Sequence, residues 1–187
     1  MKDSNFINER LKRGQQANEK VEKEFSNLTT EQLNWKPAAK TWSIAECLQH
    51  LIIADSCYFG DLKLIASDMY QMTFWERYSP FSGLLGKVLK SQMKEQVTKK
   101  MVTHTKLTPT YSTYQLDLLD NYKDNLRYFM DLVSKCHNAD LDKFIINSPT
   151  ITWITYSLRD ALEFLFEHEH RHINQAIRVT ENERFPK

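Results

Sequence analysis

The sequence predicts an all-α fold, and three observations favour a four-helix bundle. Only 4 glycines and 5 prolines occur among 187 residues, too little turn chemistry for the many short strands of a sandwich or barrel. Apolar residues recur at helical spacing in several long segments. Hydrophobic residues make up 41% of the chain and charged residues 26%, which is typical of a globular protein. The chain length of 187 residues predicts one domain, residues 1–187.

Four amphipathic segments predict the main helices. They cover about residues 4–25, 43–69, 113–135 and 157–180. Ser43 with Glu46 three residues later has the pattern of a capping box at the start of the second helix. Ser157 with Asp160 resembles another box at the start of the last helix. Residues 28–41 and 138–150 break the helical pattern and are expected to be loops.

A long crossover, residues 70–109, joins the second and third helices. An unstructured loop of that length would be unusual in a compact domain, so we expect a helix over about 84–102 after an aromatic cluster around Pro80. The cluster consists of Phe74, Trp75, Tyr78 and Phe81, and the lysines of the helix are Lys87, Lys90, Lys94, Lys99 and Lys100. These lysines predict a solvated helix face, and the alternative is a patch for an anionic ligand or nucleic acid.

Charge and cysteine content exclude several classes of protein. The 25 basic and 24 acidic residues give a net charge of +1, whereas a nucleic-acid-binding protein usually has a basic excess. No apolar run is long enough for a transmembrane helix, and the N-terminal residues lack the apolar core of a signal peptide. The cysteines Cys47, Cys57 and Cys136 lack CxxC spacing, which argues against a disulfide framework or thiolate zinc site. We therefore expect a cytoplasmic protein without membrane or nucleic-acid partners.

The last predicted helix contains a run of histidines with the spacing of metal ligands. His168 and His172 are four residues apart, so both lie on one helix face and can reach one ion. They fall on the apolar stripe that faces the bundle. His170 is about 200° round the helix from His168, and it is expected on the wetter side, with Glu163, Glu167 and Asn174.

Two alternatives remain open from this spacing alone. A pair of histidines at i and i+4 also occurs as hydrogen-bonded core residues. The run from His168 to His172 also matches HExxH, the motif of zinc metalloproteases, with Glu169 in the position of the general base. Those proteases use a sheet beside the helix, and this chain is short and poor in strands.

A catalytic metal site with an open position needs a third ligand, and His50 is the candidate. It lies in the second helix, next to the apolar stripe and one turn after Glu46. By itself its position favours a hydrogen-bonded core histidine, and only the pair of His168 and His172 makes it a candidate ligand. His104 and His137 lie among polar residues near predicted helix ends, where surface positions are expected.

Three stretches resemble the signature of the DinB-like superfamily. They are LNWKP at 33–37, KTWSIAECLQHL at 40–51 and FLFEHEHRHINQA at 164–176, the last with the HxxRHxxQ pattern. The superfamily includes YfiT-like metal-dependent hydrolases and bacterial thiol-dependent S-transferases. In order and spacing, the resemblance extends over nearly the whole chain.

The resemblance implies an up-down-down-up bundle that holds a divalent metal, often nickel or zinc, by three histidines. The ligands correspond to His50, His168 and His172. It also implies that a homodimer is common. An open position on such a metal can acidify water or bind a thiol as thiolate, so the sequence predicts hydrolysis or S-transfer on a small molecule, with a low-molecular-weight thiol as a further cofactor.

Other residues near these ligands have two interpretations each. Glu46 could support the site or only cap the helix, Gln175 could line its mouth or face solvent, and Cys47 could approach the metal or fill the core. Trp35 and Trp42 could cover the site or only anchor a loop. Two other classes of function remain as alternatives, namely a non-enzymatic metal-binding or stress-response bundle with a structural or vestigial metal, and a nucleic-acid-associated protein.

Overall fold

The computed structural model describes residues 2–79, 103–111 and 113–187, and this part of the chain is mostly helical. The helices are α1 (Lys2–Phe25), α2 (Thr30–Asn34), α3 (Ile44–Ser56), α4 (Phe59–Ala66), α5 (Phe74–Tyr78), α6 (Asp117–Lys135) and α7 (Leu158–Thr180), and Thr105–Leu107 form one 3-10 turn. Strands β1 (Ile145–Asn147) and β2 (Thr155–Ser157) form an antiparallel hairpin in which Ile146 pairs with Tyr156. The mostly helical prediction is confirmed, and the hairpin is an addition to it.

The long helices pack through their apolar faces. Both α1 and α3 pack against α6 and α7, and the buried apolar residues of these helices form one hydrophobic cluster. Leu48, Leu126 and Phe166 are fully buried in it, and burying each such side chain stabilises the fold by about 1.5–3 kcal/mol. This packing brings the middle of α3 against the middle of α7, where the predicted ligands lie.

The start of α3 is as predicted. The Ser43 hydroxyl accepts a hydrogen bond from the Glu46 N–H, and the Glu46 carboxylate accepts one from the Ser43 N–H, so the capping box is present. Ser157 caps α7 in a similar way by accepting a hydrogen bond from the Asp160 N–H. Both caps satisfy backbone donors that the first helical turn leaves without partners.

Three predicted boundaries were wrong. Residues 28–41 contain the short helix α2, which a capping box between Thr29 and Gln32 starts. The second predicted helix is divided into α3 and α4, because the Tyr58 N–H bonds to the Asp55 carbonyl oxygen and tightens the end of α3 into a 3-10 turn. The third predicted helix begins at Asp117 and not at about residue 113. The backbone N–H and carbonyl of Tyr114 form hydrogen bonds with the Asn34 side chain instead of continuing a helix.

The crossover is described only at its two ends. The helix predicted over about 84–102, with its lysines, lies outside the described residues, as do Pro80 and Phe81. At its start, the buried Glu76 carboxylate accepts hydrogen bonds of 2.8 Å from the Tyr70 hydroxyl and from the Asn147 amide. Glu76 thus fixes α5 against β1. None of the described helices has both the length and the apolar character needed to cross a bilayer.

Candidate metal centre

Three histidines from two packed helices form one cluster. His50 comes from α3, and His168 and His172 come from consecutive turns of α7. The ring centroids are 4.9 Å apart for His50 and His168, 4.6 Å for His50 and His172, and 4.5 Å for His168 and His172. One nitrogen of each ring lies within 4.8 Å of the others. The structure thus brings together the three residues that the sequence predicts as ligands.

A backbone carbonyl fixes the orientation of His50. Its Nδ1 lies 2.7 Å from the carbonyl oxygen of Leu107. Because a carbonyl oxygen can only accept, Nδ1 carries the proton and donates it. The lone pair is then on Nε2, which lies 3.1 Å from Nε2 of His168. This is the usual arrangement of a metal-binding histidine, whose second nitrogen is held by a backbone carbonyl or carboxylate.

The cluster fits a divalent metal ion. Tetrahedral coordination with metal–nitrogen distances of 2.0–2.1 Å places two ligand nitrogens about 3.3 Å apart, close to the 3.1 Å between the Nε2 atoms of His50 and His168. Nδ1 of His172 is buried and has no hydrogen-bond partner in the described part of the chain. Three imidazoles favour borderline metals such as zinc, nickel or copper.

The cluster holds its imidazoles in the neutral form. Burial lowers the pKa of His50, and burial together with neighbouring histidine and arginine charges lowers the pKa of His168 and His172 well below the ordinary value. His50 is 3% exposed and His168 is 8% exposed, so water can stabilise little positive charge there. The nitrogen lone pairs are therefore available to a metal at neutral pH.

Trp42 lies against the cluster, whereas Trp35 makes no ring contact with it among the described residues. The Trp42 ring centroid is 4.9 Å from that of His50 and 5.6 Å from that of His172. Trp35 instead packs edge-on against Phe185 at 5.6 Å. Of the two tryptophans for which the sequence left both interpretations open, Trp42 covers the site.

Glu46 and Cys47 contribute to the fold, at the start and in the core of α3. Glu46 completes the capping box at Ser43 and also pairs with Lys36 at 2.8 Å. Cys47 is fully buried, and burial raises the pKa of its thiol far above the ordinary value, so it is a small core residue. All three cysteines of the chain are free thiols.

The predicted position of His170 was wrong. It is 5% exposed, not solvated, and its Nε2 lies 3.0 Å from the carbonyl oxygen of Arg13 in α1. The helical wheel of α7 alone does not show that α1 covers this face. His104 and His137 are exposed, as predicted.

The metalloprotease interpretation finds no support in the position of Glu169. Its carboxylate accepts a hydrogen bond of 2.5 Å from the Tyr122 hydroxyl on α6, so it points to a neighbouring helix and not to a position of a general base beside the histidines. The only sheet among the described residues is the hairpin of three-residue strands.

The sequence analysis missed a buried pair of carboxyl groups. Asp55 is 1% exposed and Glu169 is 0% exposed, and neither oxygen of Asp55 has a hydrogen-bond partner among the described residues. Burial, and for Asp55 also the charge of Glu169, raises the pKa of both groups. Glu169 lies between Phe166 and Ile173 on a buried face of α7, and that apolar spacing was the signal available in the sequence.

A helical bundle with three clustered histidines from two of its helices defines a class of candidate metal-binding bundle proteins. The chain matches the sequence model of the DinB superfamily over residues 13–176. Because this match covers most of the chain, the protein belongs to the DinB superfamily. Comparison with curated proteins and with solved structures found no significant match.

Proposed function

We propose that the protein is a metal-dependent enzyme that uses the three-histidine centre to activate a thiol or a water molecule for S-transfer or hydrolysis on a small molecule. The observation that carries this proposal is the cluster of His50, His168 and His172, in which one nitrogen of each ring lies within 4.8 Å of the others. Membership of the DinB superfamily is compatible with it.

We propose nickel or zinc as the metal, with His50, His168 and His172 as its ligands. Three protein ligands leave a coordination position for substrate, which distinguishes catalytic from structural zinc sites. When bound, the ion supplies Lewis acidity, which lowers the pKa of a thiol or water. The chain's own contribution is to keep the imidazoles neutral, to hold His50 through the Leu107 carbonyl and to shield part of the His50 ring with Trp42.

A non-enzymatic bundle with a structural or vestigial metal is the second candidate. The deep burial of His50 and His168 favours it, because a structural ion needs no access for substrate. The two candidates differ in whether the bound ion accepts an exogenous ligand.

We further propose the superfamily's up-down-down-up order and a single domain over residues 1–187. Contacts along the helices support the order. Arg13 and Lys20 of α1 contact Glu167 and Asn174 of α7 in the same sequence direction, at 3.0 and 2.5 Å. Phe129 and Tyr122 of α6 contact Phe166 and Glu169 in the opposite direction, with a 5.3 Å centroid separation and a 2.5 Å hydrogen bond.

A homodimer, a low-molecular-weight thiol as cofactor and a cytoplasmic location complete the proposal. The three free cysteines support a reducing compartment.

Elemental analysis of tag-free protein tests the metal centre. We expect about one nickel or zinc ion per chain in the wild type and its loss in His50→Ala/His172→Ala. The matched control is His104→Ala/His137→Ala, which removes two exposed histidines and should keep the metal. If neither purified nor reconstituted wild type binds metal, the proposed function is wrong. Metal-loaded protein is then screened with thiols and small electrophiles, and failure to bind any exogenous ligand would favour the structural role.

A further inference from the structure

The histidine centre is accessible to solvent along one edge. His50 and His168 are nearly fully buried, whereas His172 and Trp42 are half-buried. These two half-buried side chains mark the side from which a molecule in solvent would reach the cluster, here called the opening.

The Trp42 indole forms one side of this opening. It is tilted by 51° to the His50 ring and by 32° to the His172 ring, with centroid separations of 4.9 and 5.6 Å. The neighbouring residue, Ser43, is held by the capping box of α3. Trp42 is thus attached to a fixed point of the backbone, and a ligand in this opening contacts its aromatic surface.

A divalent metal at the three histidines would give this edge a positive charge. Glu46, which lies near this end of α3, is neutralised by its ion pair with Lys36. Three neutral imidazoles would leave the charge of a divalent ion uncompensated, so the electrostatic field at the opening favours an anion.

We propose that Trp42 is a specificity-determining residue of the centre, and that the preferred ligand is a small anion whose apolar chain lies on the indole while its charged end binds the metal. This inference rests on the proposed function, because it requires a metal at the three histidines. It adds the chemical class of the ligand and the residue that selects it.

Cobalt-substituted protein provides a test that does not depend on activity. The visible absorption of Co²⁺ changes when an exogenous ligand binds, so dissociation constants can be measured for acetate, propionate, butyrate and pentanoate. Full burial of one methylene is equivalent to about a fourfold gain in affinity. With contact on one side only, we expect about twofold per methylene in the wild type, and no measurable binding of the neutral propionamide.

Trp42→Ala should bind Co²⁺ with an affinity within about fivefold of the wild type but lose the dependence on chain length. Trp42→Phe keeps an aromatic surface and should retain part of the dependence on chain length. It also provides a second variant in case Trp42→Ala does not fold. Trp35→Ala is the matched control, since Trp35 packs on Phe185 away from the imidazoles, and it should behave as the wild type.

The outcomes separate the inference from the proposed function. If the wild type binds no Co²⁺, the metal centre itself is wrong. If Co²⁺ binds and Trp42→Ala keeps the full dependence on chain length, only the role of Trp42 is wrong. If Trp42→Phe and Trp42→Ala both lose Co²⁺ while remaining folded by circular dichroism, Trp42 supports the histidines and does not select the ligand. Tight binding of propionamide would overturn the preference for an anion.

Discussion

The side chain of His50 and the backbone of Leu107 are joined by a hydrogen bond of 2.7 Å, in which Nδ1 donates to the carbonyl oxygen. The two residues are 57 positions apart, and Leu107 ends the 3-10 turn near the end of the crossover. The tautomer and direction of a candidate metal ligand on α3 therefore depend on the conformation of a turn elsewhere in the chain. Loss of such a hydrogen bond between a metal-binding histidine and its partner typically lowers metal affinity by 10–100-fold.

Breaking this turn should weaken metal binding without unfolding the bundle. Leu107→Pro removes the N–H that bonds to the His104 carbonyl oxygen at 2.9 Å and disfavours the helical conformation of Lys106. The Leu107 carbonyl then moves away from His50. We expect a loss of metal affinity of at least about tenfold, measured by competition with a chromogenic chelator.

Leu107→Ala is the control for that substitution. It keeps the backbone of the turn and removes only the half-buried side chain, so its metal affinity should stay within about threefold of the wild type. Equal losses in the alanine and proline variants would mean that the side chain, not the carbonyl, supports His50.

The buried histidines should make the metal-free protein sensitive to acid. The pKa of His168 is well below its ordinary value in the folded state, while in the unfolded chain it returns to about 6.5. Below that pH the unfolded state binds more protons, so the free energy of unfolding falls as the pH falls from about 6.5 toward the folded pKa, and this contribution is complete above 6.5. Each such histidine can account for at most about 2 kcal/mol between pH 6.5 and 5.

Urea unfolding of metal-free protein at pH 7.5 and pH 5 measures this effect. His168→Gln should lose less stability between the two pH values than the wild type, because the glutamine cannot be protonated. His137→Gln, at an exposed position, should lose as much as the wild type. Equal losses in all three proteins would show that His168 titrates normally in the folded state.

The sequence predicted those features that depend on short-range spacing. The capping box of Ser43 and Glu46 lies within one helical turn, and so does the spacing of His168 and His172. The buried face of each long helix also follows from local apolar periodicity. The third candidate ligand, His50, could be proposed because its own helix has such a face and because its neighbours resemble a family signature.

Features that depend on contacts between distant segments could not be predicted. The first turn expected for the third helix is absent because Asn34, 80 residues earlier, binds the backbone of Tyr114. His170 is buried because α1 covers it, through the Arg13 carbonyl. The Leu107 carbonyl that holds His50 has no sequence signal, since every residue has a backbone carbonyl.

The buried carboxyl pair should lower stability at alkaline pH. The pKa of both Asp55 and Glu169 is raised in the folded state by burial, so the folded state binds more protons than the unfolded state above about pH 4. Stability therefore falls as the pH rises from there toward the folded pKa values. Asp55→Asn removes one of the two charges, and it should raise the free energy of unfolding at pH 8 by about 1–2 kcal/mol.

That gain should disappear near pH 3, where Asp55 is largely protonated in both states. Asp124→Asn is the control, because Asp124 is exposed and pairs with Arg127 at the surface, and its effect should stay within about 0.5 kcal/mol at either pH. A loss of stability in Asp55→Asn at pH 8 would mean that the Asp55 carboxylate is stabilised by a group of opposite charge.

The contact between α1, α6 and α7 at Gly14 can be tested by adding one methyl group. A Cβ on Gly14 would lie 2.5 Å from Sδ of Met130 and 2.8 Å from Cε1 of Phe166, so one of these side chains must move. Alanine gains about 1 kcal/mol over glycine in helix propensity, while overpacking costs about 1–3 kcal/mol. We expect Gly14→Ala to lower the free energy of unfolding by about 0.5–2 kcal/mol in denaturant titrations.

Gly60 in α4 provides the matched control, because a Cβ there meets no atom of the described residues within 4 Å. Gly60→Ala should therefore stabilise the protein by about 0.5–1 kcal/mol through the loss of backbone entropy in the unfolded chain. A double-mutant cycle with Met130→Ala identifies the cause of the loss at Gly14. Since the shortened side chain leaves room for the new methyl group, Gly14→Ala should cost less in that background. An unchanged cost would mean that the buried Phe166 ring, not Met130, resists the substitution.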